Sequence, residues 1–323
     1  MQLDSPYKFR RQREQVVFGR SYLAEDKSRF QEPCIVKEFL PQQGEDHFSS
    51  KATELFQREA AILYQIQHPQ IPQFRATFQV ENRLFLVQDY VEGLSYRELL
   101  NQRRSQNLGF SEAEVRQFVQ QLLPVLAHIH SKGIIHRDIS PDNILLRNRD
   151  RLPVLIDFGV VKEVVTRVQM ADVTHHATTV GKPGYAPSEQ MQSGRAYPSS
   201  DLYSLAVTAI VLLTGREPQD IFDDVNLSWH WQQYANVSAG LAQVLDKATS
   251  YRPGDRYQSV SEMAPSLGTA NNVMAATAPN PVYPTAPPPA ATAPPSQMRP
   301  VAVGRSYQPT GMAGPQTVQP ARS

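Results

Sequence analysis

The segment HRDISPDNILL, residues 136–146, constrains the fold of this chain more than any other feature. It holds Asp138 and Asn143 at a fixed spacing, and a second polar motif, VLIDFG, places Asp157 19 residues after Asp138. Asn143 and Asp157 offer oxygen ligands of the kind that Mg²⁺ prefers, and Asp138 could orient a nucleophile. We therefore expect a fold in which these two segments meet at one site.

Apolar periodicity divides the chain before Gly268 into a strand-rich part and a helical part. Four runs rich in β-branched and aromatic residues predict strands: VVFGRSYLAED, PCIVKEF, QFRATFQV and RLFLVQDYV. One helical pattern, FSSKATELFQREAAILYQIQ, lies between the second and third runs. Later, Ser111 followed by Glu114 predicts a capped helix start, and SSDLYSLAVTAIVLLTG predicts a helix buried on all sides. We predict an α+β fold with a small β-rich N-lobe (residues 1–92), a larger helical C-lobe (93–267) and a cleft between them.

The composition changes after Gly268. Residues 269–323 hold 12 of the 26 prolines and three arginines, but they contain no acidic residue and no apolar periodicity. Such a segment cannot bury enough apolar surface to fold, so we expect a disordered tail. Its stretch PTAPPPAATAPP could also offer a polyproline II ligand to a partner.

The bulk composition indicates a globular protein with almost no net charge. Thirty-two Lys and Arg residues against 31 Asp and Glu residues leave a formal net charge of +1, which favours neither nucleic acid nor an acidic membrane as a partner. The N-terminus has no apolar leader, and the longest apolar run, residues 205–213, is far shorter than the ~20 residues of a membrane helix. Cys34 is the only cysteine and is expected to be a buried small hydrophobe in a reducing compartment. We expect a cytoplasmic protein with no membrane segment.

Residues suited to phosphoryl transfer occur in order along the chain. The reaction needs carboxylates for Mg²⁺, a lysine for the phosphates and an acceptor for the hydroxyl proton. Lys37, at the end of CIVK, could contact the α- and β-phosphates, and Glu59 in the predicted helix could hold it. Asn143 and Asp157 would bind Mg²⁺, and Asp138 would orient the acceptor hydroxyl. Each residue alone has an ordinary structural explanation, but the ordered set indicates catalysis.

Residues 16–267 resemble the protein kinase superfamily. The phrases SYLAED, HRDISPDNILL, GKPGYAPSEQ, LLTGREPQDIF and DRYQSV resemble bacterial eukaryotic-type Ser/Thr kinases, cyanobacterial ones in particular. The resemblance implies a bilobal kinase fold with ATP in the cleft, Gln88 as gatekeeper, and the backbone of Asp89 and Val91 in contact with adenine. It also implies structural roles for three residues. Glu189 and Arg256 would form a buried ion pair, and Asp201 would brace the catalytic loop. Pro141 in SPDN favours serine or threonine as the acceptor.

Two positions depart from the pattern of that family. In the glycine loop only Gly19 remains, because Glu14 and Val16 occupy the first two glycine positions. Since glycines let the backbone approach phosphates closely, this change bears on ATP affinity. The second departure is Ser140, where Ser/Thr kinases carry a lysine, while Lys182 occupies an activation-segment position that normally holds a threonine. We expect Lys182 to supply the charge at the γ-phosphate, with Ser140 making room for it or hydrogen-bonding it. The alternative is that Lys182 is a surface residue and Ser140 marks loss of function.

Together these features predict an ATP- and Mg²⁺-dependent Ser/Thr protein kinase that acts on proteins in signal transduction and phosphorylates itself. Candidate phosphate acceptors are Thr174, Thr178 and Thr179, and Arg137 could receive their phosphates. Two alternatives stay open. A pseudokinase scaffold is favoured by the eroded glycine loop, and a small-molecule kinase is disfavoured by GYAPSE and Arg256.

Overall fold

The computed structural model describes residues 6–16, 19–39, 50–80, 83–106, 108–158 and 181–268. The predicted tail, residues 269–323, lies outside the described residues, as do Thr174, Thr178 and Thr179. None of the helices in the described part of the chain is long and apolar enough to cross a membrane.

The first part of the chain forms a five-stranded antiparallel sheet in the order β1-β2-β3-β5-β4. The strands are β1 (Tyr7–Val16), β2 (Gly19–Asp26), β3 (Glu32–Phe39), β4 (Phe74–Val80) and β5 (Arg83–Asp89). One helix, α1 (Ser50–Tyr64), lies between β3 and β4 in sequence. This arrangement confirms the predicted β-rich lobe.

The alternation of side chains along β3 sorts its residues between the two faces of the sheet. Cys34 and Val36 are fully buried on one face, where they pack with Phe85 and Val87 of β5. Because successive side chains of a strand point to opposite faces, Lys37 lies on the other face.

On that second face, Phe39 packs against Phe56 of α1, with 5.4 Å between ring centroids. Cys34 is a buried core residue, as expected, and burial raises the pKa of its thiol to about 11.

A small three-stranded sheet opens the second part of the chain. It has the order β6-β7-β8, from β6 (Gly93–Ser95), β7 (Ile144–Arg147) and β8 (Pro153–Leu155). Any Cβ at Gly93 would collide with the backbone carbonyl of Leu146, so β6 and β7 can approach this closely only with glycine there. The strand β7 begins directly after Asn143 and thereby fixes where the residues before it in HRDISPDNILL lie.

Helices form most of the remaining C-lobe. They are α2 (Tyr96–Arg104), α3 (Glu112–Ser131), α4 (Ser188–Ser193), α5 (Pro198–Thr214), α6 (Ala239–Ala248) and α7 (Val260–Gly268). A two-stranded hairpin, β9 (Phe222–Asp223) with β10 (Ser228–Trp229), precedes α6.

Two of these helices confirm predictions made from the sequence. The helix α3 begins with a capping box in which Ser111 and Glu114 bond reciprocally to each other's backbone. Residues 199–213 of α5 are all buried, as expected for a helix with no polar face. The main core cluster joins α3 and α5, so the larger lobe is organised around these two helices.

Candidate active site

A cavity of about 300 Å³ lies where the five-stranded sheet meets the helical lobe. Three parts of the chain line it: the sheet, the segment after β5, and the polar loops next to β7 and β8. The residues that line it include Ser21, Lys37, Gln88, Asp89, Val91, Arg97, Asp142 and Asp157. The cavity therefore brings four of the residues predicted for nucleotide binding, Lys37, Asp89, Val91 and Asp157, to one place.

Lys37 and Asp157 form an ion pair across this cavity, between Nζ and Oδ1. Their side chains are 16% and 23% exposed, so each charge keeps some contact with solvent. The backbone of Asp157 has φ +61°, a left-handed conformation that is uncommon for a residue with a side chain. Glu59, the predicted partner of Lys37, lies in α1, but its side chain is outside the described part of the structure. The Lys37–Glu59 pairing stays a prediction.

The catalytic motif folds into a compact loop around Asp138, which is only 6% exposed. Asn143 donates from Nδ2 to the backbone carbonyl of Asp138, at 2.7 Å, which leaves its amide oxygen free to turn elsewhere. The backbone carbonyl of Asn143 accepts from the N–H of Ile156, at 2.9 Å. Since Ile156 precedes Asp157, this bond joins the two polar motifs, as the sequence predicted.

Asp201, in the first turn of α5, holds the backbone of the catalytic loop. Its carboxylate accepts from the N–H groups of His136 (2.8 Å) and Arg137 (2.9 Å), and His130 Nε2 lies 2.8 Å away. Asp201 is fully buried, and Arg137 has φ +68°. The bracing role that the resemblance implied for Asp201 therefore has a direct geometric basis.

His136 uses both ring nitrogens inside the protein. Nε2 donates to the carbonyl of Ile156 (3.1 Å), and Nδ1 accepts from the N–H of Asp138 (3.3 Å). Complete burial lowers the pKa of His136, although the nearby carboxylates, Asp201 first, act in the opposite direction. The ring is therefore held neutral and positions the loop rather than carrying charge.

An ion pair stabilises the segment that ends at α4. Arg256 Nη1 and Nη2 lie 2.7 and 3.1 Å from the two carboxylate oxygens of Glu189, and the Arg256 side chain is 1% exposed. Arg256 also donates to the carbonyls of Ser250 and Tyr251. A buried bidentate pair of this kind holds the fold together, as expected for these two residues.

Lys182 reaches the catalytic loop, but its bonded partner there is Asp142, through Nζ and Oδ2. Ser140 is fully buried, and its Oγ has no hydrogen-bond partner among the described residues. The expected alternative in which Ser140 hydrogen-bonds Lys182 is therefore wrong in this conformation. The ammonium prefers a carboxylate, which gains more from the positive charge than a hydroxyl does.

The end of β5 and the residues that follow it line the cavity, as predicted for Gln88, Asp89 and Val91. The N–H of Asp89 donates to the carbonyl of Gln73 (2.9 Å), and its carboxylate accepts from Arg75 Nε (2.6 Å). These two bonds fix the position of Asp89 beside the cavity.

The glycine loop corresponds to the hairpin between β1 and β2. Gly19 begins β2, opposite Val16 of β1 and Phe39 of β3. Glu14 pairs in register with Ser21, which lines the cavity, but the Glu14 side chain lies outside the described part of the structure.

Sequence reasoning missed the partners of Lys182. Arg97 of α2 lies 3.4 Å from Asp142 through Nε, and its other nitrogens contact Glu217 and the hydroxyl of Tyr185. No motif or spacing links these residues, because Lys182, Asp142, Arg97 and Glu217 come from four separate segments. The only available signal was the position of Asp142 inside the catalytic motif.

The model of the Protein kinase domain family matches residues 17–265. The chain belongs to the protein kinase family. The chain is 43% identical over 258 residues to serine/threonine-protein kinase PknA of Nostoc sp., covering 77% of this chain and 44% of PknA. It is 42% identical over 263 residues to serine/threonine-protein kinase C of Synechocystis sp., covering 79% of this chain and 48% of that relative. The predicted resemblance to bacterial, cyanobacterial-like Ser/Thr kinases is confirmed. The kinase spans less than half the length of these two curated relatives.

Solved structures share the fold at low sequence identity. The kinase resembles PpkA-294 in its apo form with a TM-score of 0.65 and 23% identity, covering 82% of this chain and 97% of that one. It also resembles the Mycobacterium tuberculosis PknI kinase domain with a TM-score of 0.62 and 23% identity, covering 82% and 96%. These likenesses confirm the bilobal kinase fold.

Proposed function

We propose that this chain is an ATP- and Mg²⁺-dependent kinase that transfers the γ-phosphoryl group to serine or threonine hydroxyls of proteins in signal transduction. The observation that carries the proposal is the joining of the Lys37–Asp157 pair to the Asp138 loop, through the Ile156–Asn143 bond, beside one cavity. Membership of the protein kinase family and the names of the relatives support it.

In the proposed reaction, the acceptor oxygen forms a bond to the γ-phosphorus as the bond from that phosphorus to the bridging oxygen of ADP breaks. The hydroxyl proton passes to the carboxylate of Asp138. Lys37 contacts the α- and β-phosphates and neutralises part of their charge. In this role Lys37 leaves Asp157, and Glu59 holds the ammonium in its new position.

The donor set of the site fits Mg²⁺. Asp157 supplies a carboxylate, and Asn143 supplies the amide oxygen that its Nδ2 bond to Asp138 leaves available. Among the described residues, no group of three or more His, Cys, Asp and Glu side chains could hold a metal ion. Two protein ligands suit Mg²⁺, which usually completes its shell with phosphate oxygens and water. When bound, the ion neutralises phosphate charge.

The nucleotide base would lie against the end of β5 and the residues that follow it. The N–H of Asp89 is already used by Gln73, so its carbonyl is the group available to adenine, together with the backbone of Val91. Gly19, at the start of β2, lets the backbone approach the phosphates.

Autophosphorylation of Thr174, Thr178 or Thr179, with Arg137 as the receiving cation, is part of the proposal and rests on the sequence alone. The same holds for docking of a partner on the proline-rich tail, a cytoplasmic location and the lack of a nucleic-acid partner. Protein substrates follow from the kinase family.

The first test is transfer of labelled γ-phosphate from ATP and Mg²⁺ to the protein itself and to a basic generic substrate. We expect transfer by the wild type and a loss of at least about 10³-fold in Asp138→Asn, which removes the proton acceptor. The matched control is Asp255→Asn, the same change at an exposed carboxylate in a surface turn, which should leave the rate unchanged.

Equal incorporation by the wild type and Asp138→Asn would contradict the assignment of Asp138. No incorporation by the wild type at saturating ATP would contradict the kinase proposal and favour the pseudokinase scaffold.

A further inference from the structure

The end of the activation segment is fixed to the catalytic loop at the residue before Lys182. Gly181 has φ +117°, and a Cβ there would lie 2.5 Å from Gln190 Nε2 and 2.7 Å from the Ala186 methyl group. Gln190 Nε2 in turn donates to the carbonyl of Arg137, at 2.7 Å. Because Arg137 directly precedes Asp138, the backbone of Lys182 is held next to the catalytic loop.

The side chain of Lys182 bonds to a residue that lines the cavity. Its Nζ donates to Asp142, which is one of the lining residues, and Nζ lies 5.3 Å from the centre of the Tyr185 ring. The Lys182 side chain is 35% exposed, so the ammonium is not locked in a closed site. A cation on a flexible four-carbon chain is thus held at the wall of the proposed nucleotide site.

Arg97, the other cation next to Asp142, is held in place. Its Nη1 and Nη2 lie 2.6 and 3.1 Å from Glu217, and Nη2 donates to the hydroxyl of Tyr185 at 2.7 Å. Only its Nε faces Asp142, at the longer distance of 3.4 Å. Movement of Arg97 would break four hydrogen bonds, whereas movement of Lys182 breaks its ion pair with Asp142 and its contact with the Tyr185 ring. Lys182 is therefore the cation of this group that loses fewer contacts when it moves.

The catalytic loop itself offers no cation beside Asp138 on the side of Ser140. Ser140 is fully buried, and its hydroxyl has no partner among the described residues. Transfer of a phosphoryl group concentrates negative charge on its oxygens, and a positioned cation there lowers the barrier. A hydroxyl cannot supply that charge, but an ammonium from the neighbouring segment can.

We propose that Lys182 is a further catalytic residue. Its ammonium pairs with Asp142 beside the cavity and, when the nucleotide binds, leaves Asp142 to contact the γ-phosphoryl oxygens. The proposal rests on the proposed kinase function. In the step, the acceptor oxygen bonds to the γ-phosphorus, the bond to the bridging oxygen of ADP breaks and the proton goes to Asp138. Lys182 keeps its protons and contributes charge only. Asp142 is a positioning residue that holds the ammonium within reach.

Nucleotide affinity tests the proposal without turnover. Dissociation constants of a non-hydrolysable ATP analogue and of ADP are measured with Mg²⁺ for the wild type and Lys182→Thr. Since only the analogue has a γ-phosphate, we expect its affinity to fall about tenfold or more in the variant, as for loss of one charged contact. ADP affinity should stay within about twofold, because it lacks the group that Lys182 contacts.

The matched control is Lys247→Thr. Lys247 of α6 has the same kind of surroundings as Lys182. The carboxylate of Glu262 in α7 lies 2.7 Å from its Nζ, and the centre of the Tyr257 ring lies 4.2 Å away. This variant should leave both dissociation constants unchanged.

Turnover provides the second measurement. Lys182→Thr should lower kcat about 10²- to 10³-fold, the usual effect of losing one group that stabilises transition-state charge. The double variant Ser140→Lys/Lys182→Thr returns a lysine to the loop and should recover at least about tenfold over the single variant. A surface role for Lys182 would produce neither the loss nor the recovery.

The proposal is overturned if Lys182→Thr changes both kcat and the affinity for the analogue by less than about twofold. If the double variant does not fold, because Ser140 is buried, the analogue and ADP constants of the single variant decide the question. If the wild type transfers no phosphate, the kinase function fails, while the same ratio of affinities still tests the contact of Lys182 with the γ-phosphate.

Discussion

At the scale of single residues, two of the six described non-glycine residues with positive φ lie at the site. Arg137 and Asp157 both adopt positive φ, +68° and +61°, which costs roughly 1–3 kcal/mol each for residues with a Cβ. Asp201 and Gln190 hold Arg137 in this conformation through its N–H and its carbonyl. The strain places the carboxylates of Asp138 and Asp157 before any substrate arrives.

His136 predicts how stability depends on pH at this scale. Its pKa is lowered in the folded protein from the ordinary value of 6.5, so below that pH the unfolded chain binds a proton that the folded chain refuses. The free energy of unfolding should therefore fall as the pH drops below 6.5, by up to about 1.4 kcal/mol per pH unit for this one group. Burial and His128 lower the pKa of His68 as well, which adds to the fall.

Urea unfolding between pH 5 and 8 measures this slope in the wild type and in His136→Gln. The variant lacks the His136 proton, so the slope of its unfolding free energy against pH should be smaller by the equivalent of about one proton. His230→Gln, at an exposed histidine, is the control for the substitution itself. A wild-type stability that stays constant from pH 6.5 to 5 would contradict the prediction.

At the scale of secondary-structure elements, helices outside the cavity position the catalytic loop. The first turn of α5 supplies Asp201, and α4 supplies Gln190, whose amide reaches the same loop. The Glu189–Arg256 pair ties α4 to the segment before α7. Geometry at Asp138 therefore depends on elements that do not line the cavity.

Asp201→Asn tests this positioning role. The amide keeps one oxygen, but its NH₂ group faces N–H donors and leaves at least one buried hydrogen bond unmade. We expect kcat to fall about tenfold or more with little change in KM for ATP, and Tm to fall by several degrees. Asp246→Asn is the control, because Asp246 also accepts two side-chain hydrogen bonds, from Trp231 and Gln232, far along the chain from the catalytic loop.

If Asp201→Asn keeps the wild-type kcat while Tm falls, Asp201 stabilises α5 without positioning Asp138. Steady-state kinetics with both variants separates these roles, since only a positioning effect lowers kcat at saturating substrate.

Elements and their order were predictable because they depend on local pattern. The buried helix α5 has no polar face, and Ser111 with Glu114 marks the start of α3, so each can be found without tertiary information. The observed partner of Lys37 could not be found in this way. The sequence indicated Glu59 as the partner of Lys37 and assigned Asp157 to Mg²⁺, and only tertiary placement brings Asp157 to Lys37. Lys182 contacts Asp142 at a place where four separate segments of the chain meet, and no spacing in the sequence predicts that meeting.

At the scale of the whole molecule, the segment between α1 and β4 joins the two lobes. Gln70 Nε2 donates to the carbonyls of Gln121 and Pro153, and Arg147 Nη1 donates to the carbonyl of Pro69. Ile66 and Ile71 belong to the core cluster of the helical lobe. The segment after α1 is therefore anchored on the larger lobe, although it belongs to the N-lobe in sequence.

The contacts of Leu267, near the last described residue, predict how truncated chains behave. Leu267 is fully buried in the core, and its carbonyl accepts from Arg116 Nη1 at 2.8 Å; Arg116 is 6% exposed. A chain ending at Gly268 keeps these contacts and should retain Tm within about 2 °C and kcat within about twofold. A chain ending at Glu262 also loses the buried Met263, and deleting two such side chains costs about 2–5 kcal/mol each.

The shorter chain also leaves the guanidinium of Arg116 without its carbonyl partner, so it should unfold at least about 10 °C lower or fail to fold. Leu267→Ala in the full chain provides a milder form of the same change and should fall between the two truncations. Thermal unfolding and kcat of all three variants check the prediction. A loss of kcat above about tenfold in the chain ending at Gly268, with Tm unchanged, would assign the proline-rich tail a direct part in the reaction rather than an accessory one.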